Sequence, residues 1–217
     1  MTVEYRIDAR PPAWADDLRD LLVDVETATI GHFEHLGFLG SQIRPVFPSR
    51  AIGNAITVAA PGRDGVVIYK AIDLLIPGDV LVISRVDHDD IACVGGGVVA
   101  AAKARGAVGI IVDGPCTDAL EIAQSGFPVW CRGVSSKTTN RAYQIGGSIN
   151  VPIACGGAAV LPGYAVLADD DGVFVADPDH MRRLGAVALE RQKRSRHLRP
   201  HLEAGKSIFN YQPPEES

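Results

Sequence analysis

Apolar residues along this chain gather in short runs that are separated by segments with helical spacing. Buried strands are predicted by the consecutive apolar runs at 55–60, 80–84, 108–112 and 128–131. Helices are predicted between these runs by the segments at 65–75, 95–106 and 117–126. Strands that alternate with helices in this order favour parallel pairing and an α/β fold.

The two ends of the chain have a different pattern from the middle. Residues 1–40 show leucines at helical spacing after Pro11 and Pro12, which predicts that the first 37 residues or so are helical. Short apolar runs with glycine turns at 148–177 predict antiparallel strands. Asp177 followed by Pro178 predicts the start of a long charged helix. Its thin apolar stripe consists of Met181, Leu184, Val187 and Leu189.

These patterns predict one compact α/β domain over residues 1–217, with a mixed sheet. We divide it into N-terminal helices at 1–40, an α/β core at 50–177 and a C-terminal helical arm at 178–210. A helix with so thin an apolar stripe is often covered by a neighbouring subunit. We therefore expect the arm to pack on a second copy of the chain.

The charge of the chain argues against nucleic acid as its main partner. The sequence has 21 Lys and Arg against 26 Asp and Glu, a formal net charge of −5. Its one basic cluster, at 191–199, is typical of a solvated helix face. No window approaches the roughly 18 uncharged apolar residues of a membrane span. The acidic N-terminus lacks the apolar core of an export signal, so a cytoplasmic location is expected.

Four cysteines are spread along the chain without the paired spacing of a zinc site or a redox motif. They are Cys93, Cys116, Cys131 and Cys155, each in apolar surroundings. We expect them to be buried, reduced thiols. A nucleophilic role for Cys116 would need a neighbouring base such as histidine, and the sequence places no histidine beside it.

The first candidate site is the run Gly95-Gly96-Gly97 at the start of a predicted helix. Bare amides at the positive end of a helix attract a carboxylate or a phosphate. The alternative is that the glycines only permit close helix packing. The pattern matches neither the dinucleotide-binding fingerprint nor the phosphate-binding P-loop, so neither nucleotide class is supported.

The second candidate site lies at 112–118, after a predicted parallel strand, where α/β sheets bind their ligands. Asp118 has two interpretations. With Glu121 three residues later it forms a capping-box pattern for the following helix. It is also a suitable ligand for Mg²⁺, which needs only one or two protein carboxylates and otherwise binds water.

Many ordered segments between about 66 and 177 resemble the family that contains regulator of ribonuclease activity A and the class II pyruvate aldolases. The matching segments are GDVLV at 78–82, Gly95, AKARG at 102–106, VDG at 112–114 with Asp118, FPVW at 127–130, SSK at 135–137, SINVPI at 148–153, LPG at 161–163 and ADDDGV at 168–173. The later ones are especially similar to 4-hydroxy-4-methyl-2-oxoglutarate / 4-carboxy-4-hydroxy-2-oxoadipate aldolase. Many members carry a demethylmenaquinone methyltransferase label, but no S-adenosylmethionine loop is visible here.

The resemblance implies an α/β fold of the swivelling-domain type that assembles into trimers or hexamers, with an active site between subunits. It implies Mg²⁺ or Mn²⁺ at Asp118. The pyruvyl part of a small anionic 2-oxo acid would lie on the amides of the loop Gly95, Gly96, Gly97 and Val98. Thr117 and Asp118 would then be the catalytic pair of a lyase that releases pyruvate by retro-aldol cleavage or decarboxylation. The alternative is a non-catalytic scaffold that binds another protein, as the ribonuclease regulator does.

The sequence departs from the family at the residues that carry charge. Thr117 stands where the family has arginine, Gly96 stands where it has an acid, and no carboxylate lies at 195–197 in the arm. Each lost charge-stabilising group typically lowers the rate by about 10²–10³-fold. Four residues are candidates to compensate, namely Asp89, Asp90, His197 and His201.

Overall fold

A computed structural model of the protein describes residues 4–87 and 90–213. It contains six α-helices, which are α1 (Asp16–Leu22), α2 (Thr27–Ile30), α3 (Val66–Ile72), α4 (Gly96–Ala104), α5 (Ala119–Ser125) and α6 (Pro178–Glu203). The strands are β1 (Tyr5–Ile7), β2 (Arg44–Pro45), β3 (Ala51–Ala60), β4 (Asp79–Arg85), β5 (Gly109–Asp113), β6 (Val129–Cys131), β7 (Gly147–Ile149), β8 (Ile153–Cys155), β9 (Ala158–Val160), β10 (Ala165–Ala168) and β11 (Val173–Ala176).

A mixed sheet forms the centre of the fold. Its strand order is β1-β7-β3-β4-β5-β6-β2, and β10 joins it by pairing with β3 and β11. The pairs β3–β4, β4–β5 and β5–β6 are parallel, which confirms the predicted crossovers through α3, α4 and α5. Every residue of β4 and β5 is buried, as expected for parallel strands that are covered on both faces. The predicted mixed α/β fold is confirmed.

Three apolar clusters hold the layers together. One lies between the sheet and α3, α4 and α5 and includes Ile68, Val99 and Ile122. A second lies on the opposite face under the antiparallel β8–β9 hairpin. The third packs α1, α2 and α6 against the β10–β11 hairpin.

The N-terminal segment differs from its prediction. Tyr5–Ile7 is a strand, not a helix, because it pairs in parallel with β7 at the edge of the sheet. The second short helix ends at Ile30, whereas the sequence predicted that it would extend to Gly37. The interval up to Leu39 is irregular and crosses the end of β11, where Gly37 adopts a φ of +92°. A β-carbon there would clash with the carbonyl oxygen of Val175, so this position requires glycine.

The C-terminal helix begins as predicted. The Asp177 carboxylate accepts hydrogen bonds from the amides of Asp179, at 3.0 Å, and His180, at 3.4 Å. Its buried face differs in one position from the predicted stripe, because Val187 is exposed while Ala188 is buried in its place. In the part of the chain that the structure describes, no helix is long and apolar enough to cross a membrane.

Asp64 fastens a long loop to the start of α3. Its carboxylate is 1% exposed and accepts hydrogen bonds from the amides of Val66, Gln144 and Ile145. Burial alone would raise the pKa of this carboxyl group, but the amides together outweigh burial and hold the pKa below its ordinary value. The ionised form is therefore the one that stabilises the fold.

We expect Asp64→Ala to lower the free energy of unfolding by about 2–3 kcal/mol at pH 7, because it leaves three amides without their acceptor, among them the amide of the buried Val66. Since the pKa is lowered in the folded state, this contribution is present above about pH 4 and is lost as the pH falls further. Urea unfolding at pH 7 and at about pH 3 measures both effects. The exposed Asp20→Ala on α1 is the matched control and should change stability little.

Candidate functional site

The two glycine-rich segments that the sequence singled out form one site. The loop after β5 runs against the segment that precedes α4, and the Thr117 amide donates a hydrogen bond to the Val94 carbonyl at 2.8 Å. This contact brings Asp118, at the start of α5, beside Gly95 and Gly96 at the start of α4. The site thus lies at the carboxyl edge of the parallel strands, as predicted.

Asp118 does not cap its own helix. Its backbone is left-handed, with φ 54° and ψ 36°, and its side chain accepts no hydrogen bond from the first turn of α5. Instead its Oδ2 accepts a hydrogen bond from the Gly96 amide at 3.0 Å. The capping-box interpretation is therefore wrong. The left-handed backbone, which aspartate adopts more readily than most residues, is associated with a carboxylate that lies at the N-terminus of α4.

The absence of side chains at Gly95 and Gly96 leaves room for two carboxylates. A β-carbon at Gly95 would lie 2.6 Å from Asp118 Oδ2. A β-carbon at Gly96 would clash with the carboxylate of Glu121, which extends from α5 into that space. A carboxylate thus lies beside position 96 although the sequence has glycine there. It belongs to Glu121, a residue that the sequence analysis treated only as a capping partner.

The other two residues of the loop present their backbone. Gly97 is exposed, and Val98 turns its side chain into the apolar cluster beneath α4. Among the described residues, no acceptor is hydrogen-bonded to the amides of Gly97 or Val98. Since Asp118 already engages the Gly96 amide, the positions open to an anion at this helix end are the amides of Gly97 and Val98.

A tyrosine beside this loop, and an arginine that contacts that tyrosine, were not predicted from the sequence. The Tyr69 hydroxyl on α3 lies 3.8 Å from the position that a Gly97 β-carbon would take. The Arg141 guanidinium lies 5.5 Å from the centre of the Tyr69 ring, a cation–π arrangement. No local pattern marks either residue, because only the folded chain brings α3 and the 140–145 loop together.

The residues proposed to compensate for lost charge are engaged elsewhere or lie outside the described chain. Asp90 forms an exposed ion pair with Lys137 at 3.8 Å. His201 bonds the Ser207 carbonyl oxygen and stacks edge-on against Tyr211 in the C-terminal arm. His197 also lies on the arm, within α6, and Asp89 falls outside the described residues.

The expectation of buried, free thiols is confirmed for all four cysteines. Cys116 directly precedes the site, but contact with Cys131 and burial raise the pKa of its thiol. A thiol that holds its proton so strongly is a poor nucleophile. A catalytic role for Cys116 is therefore not supported.

The chain is similar in sequence to proteins of one known family. Residues 17–175 match the model of the RraA-like family, described as Aldolase/RraA. The chain is 36% identical over 138 residues to a protein of Halalkalibacterium halodurans with a provisional 4-hydroxy-4-methyl-2-oxoglutarate aldolase name. That match covers 63% of this chain and 65% of the relative, just under two thirds of its length. A Thermus thermophilus protein named 4-hydroxy-4-methyl-2-oxoglutarate aldolase is 27% identical over 113 residues, 52% of this chain and 68% of its own length.

A solved structure extends the similarity over most of the fold. Streptomyces coelicolor RraAS2, described as an unusual member of the RNase ES inhibitor RraA protein family, superposes with a TM-score of 0.75 and is 27% identical. The superposition covers 88% of this chain and 98% of that one. Since the family model matches well over half of its residues, the present chain belongs to the RraA-like family.

Proposed function

We propose that this protein is a divergent metal-dependent lyase. Its substrate would be a small 2-oxo di- or tricarboxylic acid, from which it releases pyruvate by retro-aldol cleavage or decarboxylation. The observation that carries the proposal is the shelf formed by the Asp118 carboxylate beside the free amides of Gly97 and Val98. The names of the aldolase relatives support the same reaction class.

The residues on this shelf suit a hard divalent cation. Within residues 4–87 and 90–213, no group of three or more His, Cys, Asp or Glu side chains could hold a metal, so a metal here would keep several waters. Mg²⁺ binds in that way, through one or two carboxylates. Asp118 is exposed, and no described residue is hydrogen-bonded to its Oδ1. The Glu121 carboxylate lies beside Gly96, whose amide binds Asp118 Oδ2. We infer that Asp118, with Glu121 beside it, holds Mg²⁺ or Mn²⁺, which would supply a positive charge next to the developing enolate.

The chain's own groups account for the rest of the chemistry. The Gly97 and Val98 amides, at the positive end of α4, bind the carboxylate of the pyruvyl group. The Thr117 hydroxyl donates one hydrogen bond to a substrate oxygen, in place of the forked cationic contact of the family arginine. Glu121 takes the role of the acid that is absent at Gly96 and holds or moves the proton of the substrate hydroxyl.

Arg141 supplies the cation that position 117 lacks. Its guanidinium lies 5.5 Å from the centre of the Tyr69 ring, and the Tyr69 hydroxyl borders Gly97, so Tyr69 connects the positive charge to the shelf. A 2-oxo dicarboxylate bound by one end at Gly97 would direct its second carboxylate toward this charge. Arg141 and Tyr69 would therefore select substrates that carry a second carboxylate.

We expect Arg141→Met to raise KM for a dicarboxylic substrate by about 10–100-fold, the cost of one charge-assisted hydrogen bond, with kcat changed much less. Methionine retains much of the aliphatic contact with Tyr69. Steady-state kinetics on a dicarboxylic and a monocarboxylic 2-oxo acid separate recognition from chemistry. The exposed Arg183→Met on α6 is the control. An equal loss on both substrates would contradict a role in recognising the second carboxylate.

We further propose that the active form is a homotrimer or a hexamer. Asp118 and Gly97 are exposed, so the shelf has no outer wall in the single chain. The C-terminal arm carries apolar side chains that are exposed to solvent in the single chain. Phe209, for example, is 94% exposed. A neighbouring copy that covers such groups would also close the site against water.

A coupled assay tests the reaction. Pyruvate release from a panel of 4-hydroxy-2-oxo acids and from oxaloacetate, read through lactate dehydrogenase, should require Mg²⁺ or Mn²⁺ and stop with a chelator. The second candidate is a protein-binding regulator, favoured by Thr117 in place of the family arginine and by the similarity to RraAS2. No metal-stimulated turnover on any substrate of the panel would favour that candidate.

A further inference from the structure

Two of the four buried cysteines form a contact pair beside the candidate site. The Sγ atoms of Cys116 and Cys131 lie 3.4 Å apart, within hydrogen-bond distance for sulfur. The backbones are also joined, because the Cys116 amide donates to the Gly133 carbonyl at 2.9 Å, two residues beyond Cys131. A disulfide needs an Sγ–Sγ distance of about 2.05 Å, so closure requires an approach of only a little over 1 Å.

The pair can be approached from solvent through Cys131. An open cavity of about 370 Å³ is lined by Cys131, Gly133, Val46 and the side chains of Arg44 and Arg132. Cys131 is 4% exposed, whereas Cys116 is fully buried behind it. A small oxidant thus meets the Cys131 sulfur first.

The thiol that borders the cavity, Cys131, is also acidified. Contact with Cys116 lowers the pKa of the Cys131 thiol to about 7, although burial opposes the change. Near neutral pH a substantial fraction of Cys131 is therefore present as the thiolate, the reactive form.

We propose that Cys116 and Cys131 are a hydroperoxide-sensitive thiol pair that closes to an intramolecular disulfide. The Cys131 thiolate attacks one peroxide oxygen, the O–O bond breaks, and the leaving oxygen takes up a proton as water, which leaves a sulfenic acid on Cys131. The Cys116 sulfur, which no longer faces a negatively charged Cys131 thiolate, then attacks the Cys131 sulfur and releases its proton. The S–O bond breaks, and the hydroxyl leaves as water with that proton. In total, two thiols and one hydrogen peroxide give one disulfide and two waters, with two electrons transferred.

Closure of this disulfide would shift the loop that carries the Asp118 carboxylate of the shelf. Cys116 directly precedes Thr117 and Asp118, and its carbonyl accepts a hydrogen bond from the Ser135 amide at 2.8 Å. Drawing Cys116 toward Cys131 moves the loop whose Asp118 carboxylate is fitted against Gly96. We expect metal-stimulated turnover to fall at least about 10-fold on oxidation and to recover with dithiothreitol. This last effect rests on the proposed lyase function, but the thiol chemistry does not.

The test uses the wild-type protein and peptide mapping. Trypsin cleaves after Arg105 and Arg132, so both cysteines fall on the single peptide 106–132, while Cys93 and Cys155 fall on 86–103 and 142–182. After exposure to hydrogen peroxide and alkylation, the 106–132 peptide should lose two hydrogens and take up no alkylating agent, while the other two remain alkylated. The rate should rise with pH around a midpoint near 7.

Single substitutions give the order of the two steps. In Cys116→Ser the Cys131 sulfur should stop at the sulfenic acid and be trapped by dimedone, whereas Cys131→Ser should leave Cys116 as a thiol. Cys93→Ser is the control and should still form the link. Two alkylated thiols on the 106–132 peptide, after an exposure that oxidises free cysteine in the same tube, would overturn the proposal, as would a disulfide to Cys93 or Cys155. The wild-type map decides even where a variant does not fold.

Discussion

Replacing Asp118 with asparagine is expected to lower metal-stimulated pyruvate formation by at least about 100-fold, as the loss of a preorganised charged group does in comparable sites. Asparagine has nearly the same shape, and its side-chain oxygen can still accept the hydrogen bond from the Gly96 amide. The fold should therefore persist while the negative charge for the metal is lost. The assay is the coupled release of pyruvate at saturating Mg²⁺, with the exposed Asp20→Asn as control.

Glu121 gives this experiment a second arm. If its carboxylate acts in place of the acid absent at Gly96, Glu121→Gln should reduce kcat by about 10²-fold, the lower end of the range for general acid–base groups. Gly96→Asp should bring no gain, since its β-carbon would displace the Glu121 carboxylate. Full activity in Asp118→Asn would contradict the assignment of the metal to Asp118. Full activity in Glu121→Gln would contradict the proposal that Glu121 takes the place of the acid absent at Gly96.

Asp113→Ala is expected to have the largest effect on stability, about 3 kcal/mol or more. Asp113 is 2% exposed at the end of β5. Its carboxylate accepts hydrogen bonds from the Arg132 guanidinium and from the Gly156 amide, the latter at 2.7 Å. Removing it leaves a partly buried cation and a buried amide without their acceptor.

Urea unfolding of Asp113→Ala and of a matched surface variant tests that expectation. Asp73 forms an exposed ion pair with Arg105 at 2.8 Å, so Asp73→Ala should cost less than about 1 kcal/mol. A loss in Asp113→Ala no larger than in Asp73→Ala would mean that the buried pair does not hold the end of β5.

The core of the fold was predictable because its strands are buried on both faces. β4 and β5 are consecutive apolar runs, and the glycine turns around α4 mark where a helix must begin and end. β1 was missed because two of its three residues are exposed and its partner β7 lies about 140 residues further along the chain. β2 was not predicted because it has only two residues and contains a proline.

The candidate site was located by the sequence, but its arrangement was not. Glycine at a helix start and aspartate after a buried strand indicate the carboxyl edge of the sheet, where the structure brings these residues together. The direction of the Asp118 side chain depends on its left-handed backbone, and the spacing to Glu121 is also that of a capping box. Arg141 lies beside Tyr69 because Asp64 holds the 140–145 loop by hydrogen bonds. Asp64 and this loop are 80 residues apart in the sequence, so no short sequence pattern predicts their contact.

Direct titration of the protein with Mn²⁺, followed by electron paramagnetic resonance of the free ion, tests the central claim that Asp118 forms a metal site at the start of α4. We predict that wild-type protein removes one Mn²⁺ per chain from solution, that Mg²⁺ competes for the same site, and that Asp118→Asn weakens this binding at least about 10-fold while Asp20→Asn does not. Binding of one Mn²⁺ with equal affinity by wild type and Asp118→Asn, or the absence of any binding by the folded wild-type protein, would contradict the claim.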